Sequence, residues 1–305
     1  MIASSVVDTT SSLRRLIDSL DNLPSNPPSL YIDLEGINLC REGSISILQI
    51  FNHPKEHVYL VDIHHLGEAA FTTTGTNGKS LKSILECPVT PKVFFDVRND
   101  SNALFFHFGI RLQGIEDIQL MENGSRPGPL SRKKFVSGLA RCIEMDTPVS
   151  PAAKRLWKEN KDKGTQLFAP ERGGSHEVFN VRPIPQAIID YCVQDVSFMP
   201  LLRTLYWSKL TPHWKSEVVG ATKERIRVSQ TLTYQPNTRD KTLSPWQSLN
   251  TKTVGMANGL MGRLELFGGR NANGISETGA AAVKWLMRIK ILLRNSAQRG
   301  VDMPG

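Results

Sequence analysis

The run Leu30-Tyr31-Ile32-Asp33-Leu34-Glu35-Gly36 sets two carboxylates, one residue apart, inside an otherwise apolar segment. The segment reads as a buried strand that opens the core. Residues two apart on a strand project to the same face, so Asp33 and Glu35 stand side by side. Burying two negative charges together is costly unless a cation compensates them. A cation site is one reading, and a strand-end acidic pair facing water is the other. The apolar residues Leu30, Tyr31 and Ile32 weigh against a surface strand.

Residues 45–51 (ISILQIF) and 57–61 (HVYLV) follow as two more strands, joined through His53 and Pro54. Three strands in immediate succession predict an antiparallel meander. Residues 92–95 and 115–121 read as a fourth and a fifth strand. Helical spacing of Leu13, Leu16, Ile17, Leu20 and Leu23 predicts a helix over 8–23, with Thr9, Thr10 and Ser11 as capping candidates. Further helices are expected over 81–86, 100–108 and 135–143, and one long helix over 186–207. From 148 to 183 the chain is polar and Lys-rich, then Gly-rich, and is left without an element. The Gly/Asn/Ala-rich and basic texture after Tyr234 predicts a poorly ordered basic tail over 235–305.

With 37 Lys and Arg against 29 Asp and Glu, the formal charge is +8. That points weakly to an anionic partner and equally to a solvated tail. Cys40, Cys87, Cys142 and Cys192 form no C-x-x-C pair, and no His spacing completes a zinc motif. Nothing approaches the roughly 18 apolar residues of a membrane span. The N-terminal residues lack the apolar stretch of a secretory signal. No membrane partner and an intracellular location follow, with nucleus and cytoplasm not distinguished.

Two further acidic groupings stand out. Asp96-Val97-Arg98-Asn99-Asp100 follows the apolar KVFF strand and opens a helix. Asp96 and Asp100 share a helical face, yet aspartates at a helix start are also common caps. Tyr191 and Asp195, four apart in a helical segment, share a face among Ile188, Ile189, Val193 and Val196. A core tyrosine with a boundary aspartate would look the same. His64-His65 reads as a strand-exit turn, and His107, among Phe105, Phe106 and Phe108, as packing.

In combination and in this order, DLEG (Asp33, Glu35), FFDVRNDSNAL (Asp100) and YCVQD (Tyr191, Asp195) resemble the three motifs of the DEDDy branch of ribonuclease D-like 3′–5′ exonucleases. The resemblance covers about 200 residues. FAPERGG, from Phe168 to Gly174, is similar to the subgroup related to Egalitarian and to fungal 3′–5′ exonuclease domain proteins. The resemblance implies a ribonuclease H-like α/β fold. Its sheet would be mixed and five-stranded, with the first three strands antiparallel and helices on both faces. It divides the chain into a helical lead-in (1–27), an exonuclease domain (28–210), an extension (211–234) and the tail.

It also implies a metal-dependent exonuclease that hydrolyses RNA or single-stranded DNA from the 3′ end to nucleoside 5′-monophosphates. Two divalent ions, Mg²⁺ or Mn²⁺, would be held by Asp33, Glu35, Asp100 and Asp195, with Asp33 bridging. Tyr191 would orient the attacking water. Leu34, Gly36 and Ile37 would contact the terminal sugar and base, though Gly36 also suits a turn. Asp96 falls where relatives carry a residue that positions substrate. Arg172 and Lys163 are candidates for phosphate contacts, or plain loop charges. The alternative is a catalytically weak or inactive RNA-binding adaptor on the same fold. A protein-interaction module using the Lys-rich stretch 154–163 is a third reading.

Overall fold

The strand that carries Asp33 and Glu35 lies inside a six-stranded sheet, not a five-stranded one. The structure is a computed structural model and describes residues 2–248. The strands are β1 (Ala3–Val7), β2 (Leu30–Glu35), β3 (Ile47–Asn52), β4 (His57–Asp62), β5 (Lys92–Phe94) and β6 (Ile115–Asp117). Their order across the sheet is β1-β4-β3-β2-β5-β6. β2, β3 and β4 form the expected antiparallel meander, with Asp33 opposite Gln49 and Glu35 opposite Ile47. β5 runs parallel to β2, β6 parallel to β5, and β1 parallel to β4.

The helices are α1 (Thr10–Ser19), α2 (Ile63–Leu66), α3 (Ala69–Thr72), α4 (Leu81–Leu85), α5 (Arg98–Phe108) and α6 (Ile118–Ser125). After them come α7 (Leu139–Asp146), α8 (Pro151–Phe168), α9 (Gln186–Ser197), α10 (Met199–Lys209) and α11 (Pro212–Ser229). No helix among the described residues is long and apolar enough to cross a membrane.

Strand alternation divides the core in two. Leu30, Ile32 and Leu34 join Leu13, Leu16, Ile17, Leu81 and Leu104 on one face. Tyr31 points the other way, into a cluster with Phe51, Leu60, Trp157, Ile188 and Leu202. Asp33 and Glu35 share the face of Tyr31, so they lie on the side covered by α8 and α9.

Several boundaries differ from the sequence reading, each for a local reason. β1 is an edge strand of only five residues with two exposed positions, too short to announce itself by pattern. The fifth predicted strand stops at Asp117, whose carboxylate accepts from Gln119 N at 3.0 Å and starts α6. The helix expected over 135–143 begins at Leu139. The segment 186–207 is two helices, because Pro200 cannot continue the ladder of α9 and instead sits in the first turn of α10. α8 was not expected: only Ala153, Trp157 and Gly164 of its eighteen residues are buried, so charge hides the period.

α1 follows the reading closely. Thr9 caps it, its side chain accepting from Ser12 N at 3.1 Å in a capping box. Residues expected to form the tail contribute packing before the description stops. Trp246 is buried and Phe135 bridges to Leu243. The rest of the expected basic tail, from 249 to 305, lies outside the described residues.

The region read as a lead-in is thus part of the core. Leu13→Ala is expected to lower unfolding free energy by about 2–5 kcal/mol, measured by urea denaturation of the whole chain. A loss within error would mean that α1 merely rests on the sheet.

Candidate active site

Parallel β2 and β5 end at the same edge of the sheet, where the acidic residues gather. Oxygens of Asp33, Glu35 and Asp195 all lie within 4.8 Å of one another, the one such cluster among the described residues. Two come from β2 and the third from α9, which packs across β2, β3 and β4. Asp100 joins from the first turn of α5, 5% exposed and near enough to feel the charge of Asp33.

These groups strain one another electrostatically. Burial, then the charge of Asp195, pushes the Asp33 carboxyl up to about 7. Burial, then Asp33 and Asp195, pushes Glu35 well above the usual carboxylate range. Burial, then Asp33, does the same to Asp100. Such a set of hard oxygen donors short of positive charge fits a divalent cation. The Tyr191 ring is 8% exposed. Burial, followed by Asp195, Glu35 and Asp33, raises its hydroxyl well above the ordinary phenol, so it stays protonated.

The neighbour that sequence reasoning missed is Lys161. Its Nζ lies 2.5 Å from Asp195 Oδ1, 4.5 Å over the Tyr191 ring and 5.9 Å from the Trp157 ring. Burial alone would lower its pKa, but Asp195, Glu35 and Asp33 hold it above the ordinary lysine value. Trp157, Lys161, Gly164 and Phe168 recur at helical spacing along α8. That stripe was legible in principle inside the charged run. Phe168 meets Tyr191 edge-on at 5.0 Å, and Gly164 lets α8 approach α9. A Cβ at Gly164 would lie 2.6 Å from the Tyr191 Cβ.

Asp96 and Asp100 separate cleanly. Asp96 has φ 63° and is gripped by Arg98 through two bonds of 2.5 and 2.6 Å, with Arg225 at 3.5 Å. Against burial, which alone would raise it, these arginines hold its carboxyl below the usual value. Asp117, fully buried, accepts from Asp96 N at 3.1 Å and from Arg225 Nη1 at 2.7 Å, pinning the turn before α5. Residues beyond α11 add a strap. Tyr234 Oη and Lys241 Nζ both donate to Asn99 Oδ1, at 2.8 and 2.6 Å, one residue before Asp100.

The other residues expected at the site lie apart from the acidic cluster or are held by partners within the protein. The Leu34 side chain is 2% exposed in the core on the sheet face opposite Asp33 and Glu35. The space a Gly36 side chain would need is filled by the Ser44 carbonyl, 2.1 Å from that Cβ position, so the glycine serves the β2–β3 loop. Asp96, held by two arginines, braces the turn and does not face the cluster as a free carboxylate. Arg172 is exposed and paired with Asp162 at 3.2 Å, on the outer side of α8. His64 and His65 are exposed on α2, and the His107 ring meets the Cys40 carbonyl at 2.9 Å.

A ribonuclease H-like α/β sheet with an acidic cluster at its strand ends defines the class. Residues 5–144 match the family model described as 3′-5′ exonuclease. The mouse piRNA biogenesis protein EXD1 is 38% identical over 181 residues, 57% of this chain and 28% of that protein. Its human counterpart is 38% identical over 93 residues, 30% of this chain and 16% of that protein. The chain thus spans under a third of the length of these curated relatives. Two crystal structures of Trypanosoma brucei RNase D share the fold at 20% identity. The complex with RNA U12 has a TM-score of 0.62 and covers 79% of this chain and 75% of that one. The GMP complex has a TM-score of 0.60, with 80% and 68% covered. Over residues 5–144 the chain is similar to the 3′-5′ exonuclease family, and its fold is that of T. brucei RNase D.

Two outcomes follow from the packing and charge of the site. A carboxyl whose folded pKa is raised binds its proton more tightly when folded, so stability falls as pH rises from the unfolded value through the folded one. For chelator-treated protein the melting temperature is therefore expected to drop between about pH 4 and about pH 7, and Asp33→Asn to shrink the drop. An equal drop in the variant would remove Asp33 as its source. Gly164→Ala is expected to cost about 1–3 kcal/mol in urea denaturation. Gly220→Ala, on an open face of α11, is expected to be neutral or stabilising by up to about 1 kcal/mol.

Proposed function

We propose that the chain is a metal-dependent 3′–5′ exonuclease that removes nucleoside 5′-monophosphates from RNA or single-stranded DNA. The observation that carries this reading is the convergence of Asp33, Glu35 and Asp195, with Asp100 beside them, at one edge of the sheet. Their hard oxygen donors and mutual repulsion suit divalent ions such as Mg²⁺ or Mn²⁺. Asp33, Glu35 and Asp195 would hold one ion, and Asp33 with Asp100 the other. Ions bound there would supply an activated water and offset charge developing on the leaving 3′ oxygen.

The chain's own groups do the positioning. Tyr191 keeps its proton, so its hydroxyl acts as a hydrogen-bond donor that aims a water or a phosphate oxygen, not as a base. Asp100 keeps its place because Asp117, Arg225 and the strap at Asn99 fix the turn before it. Support for a nucleic acid substrate comes from the family and from the RNA bound by the T. brucei neighbour. The role in piRNA biogenesis that EXD1 is named for adds support for RNA as the nucleic acid.

The test uses 3′-labelled single-stranded RNA and DNA with Mg²⁺, Mn²⁺ or a chelator. Metal-dependent release of labelled mononucleotide, lost in Asp33→Ala, is the expected result. Tyr191→Phe is expected to lower turnover about tenfold or more while leaving substrate affinity nearly intact. Tight binding without digestion, unchanged by Asp33→Ala, would replace the enzyme with the adaptor.

A further inference from the structure

Lys161 is the feature of the site that a set of metal-holding carboxylates does not require. Its ammonium sits 2.5 Å from Asp195 Oδ1, and its side chain is 20% exposed against 5% for Asp195. Among the described residues it is the cation paired with the three-carboxylate cluster. The aromatic faces of Tyr191 and Trp157, at 4.5 and 5.9 Å, give it a favourable seat. The seat is built: Gly164, one turn further along α8, allows the close α8–α9 approach that brings Lys161 over Tyr191.

An ammonium and a divalent ion compete for the same oxygen. Three carboxylates lie within 4.8 Å of one another, and one positive charge cannot balance them. A divalent ion brings twice the charge and can be shared by all three donors. Lysine is suited to give way, since its charge rides on a flexible four-carbon stem. The partly exposed side chain provides the way out.

We infer that Lys161 is a resident counter-cation of the acidic cluster, which an entering divalent ion must displace from Asp195. Lys161 therefore stabilises the metal-free fold and weakens metal affinity. This rests on the reading of the cluster as a metal site, and the experiment separates the two.

The experiment titrates Mn²⁺ into the full chain, following free ion by electron paramagnetic resonance. The proteins are wild type, Lys161→Met, Lys161→Gln and Asp195→Asn. Both lysine variants are expected to bind Mn²⁺ about tenfold more tightly than wild type, because no buried ion pair has to be broken first. In chelator their melting temperatures are expected to fall below that of wild type, with the deficit closed by Mn²⁺. Unchanged or weaker Mn²⁺ binding in both lysine variants, with binding still abolished by Asp195→Asn, would overturn the role of Lys161 and leave the metal site standing. No Mn²⁺ binding in wild type or in either lysine variant would overturn both.

Discussion

The repulsion among Asp33, Glu35, Asp100 and Asp195 is the constraint around which this structure is arranged. Like charges gather at the end of a well-packed sheet only when the rest of the fold holds them there. The antiparallel pairing of β2 with β3 fixes Asp33 and Glu35 on one face. The tight α8–α9 contact at Gly164 fixes Tyr191 and presents Lys161. The buried Asp117–Arg225 pair fixes the turn that leads into Asp100. Each brace is costly to disturb, because it works against an electrostatic push.

The two aspartates of the β5–α5 turn illustrate how environment divides labour between identical side chains. Asp96 meets two guanidinium groups and is held ionised as a structural partner. Asp100, four residues on, meets other carboxylates and is driven toward its protonated form. The first is satisfied within the protein, and the second faces more negative charge and burial than the Lys241 ammonium offsets. Asp62 is likewise bound by a guanidinium, that of Arg182, whereas the acids of β2 face other carboxylates.

Much of this was legible before any coordinates. Alternation in LYIDLEG placed both acids on one face, and the succession of apolar runs announced the meander correctly. The four-residue spacing of Tyr191 and Asp195 placed them on one helix face. What stayed hidden depends on three-dimensional neighbours. Leu34 looked available because sequence adjacency to Asp33 says nothing of the opposite sheet face. Lys161 was one lysine in a charged run until α8 laid it over Tyr191. Asp117 and Arg225 are 108 positions apart, a separation no local pattern bridges. Glycines 36 and 164 show their purpose only through what crowds them.

The separation of the acids along the chain bears on the order in which the centre forms. Asp33 and Asp195 are 162 positions apart (195 − 33), and Lys161 arrives with the second half. A chain made from its N-terminus pairs β2, β3 and β4 through local turns, and exposes an acid pair with no third carboxylate beside it. The centre becomes complete only when α8 and α9 close over the sheet, and they deliver the remaining carboxylate and its lysine together. The acidic cluster therefore depends on long-range closure and exists no earlier than the α8–α9 layer that completes it.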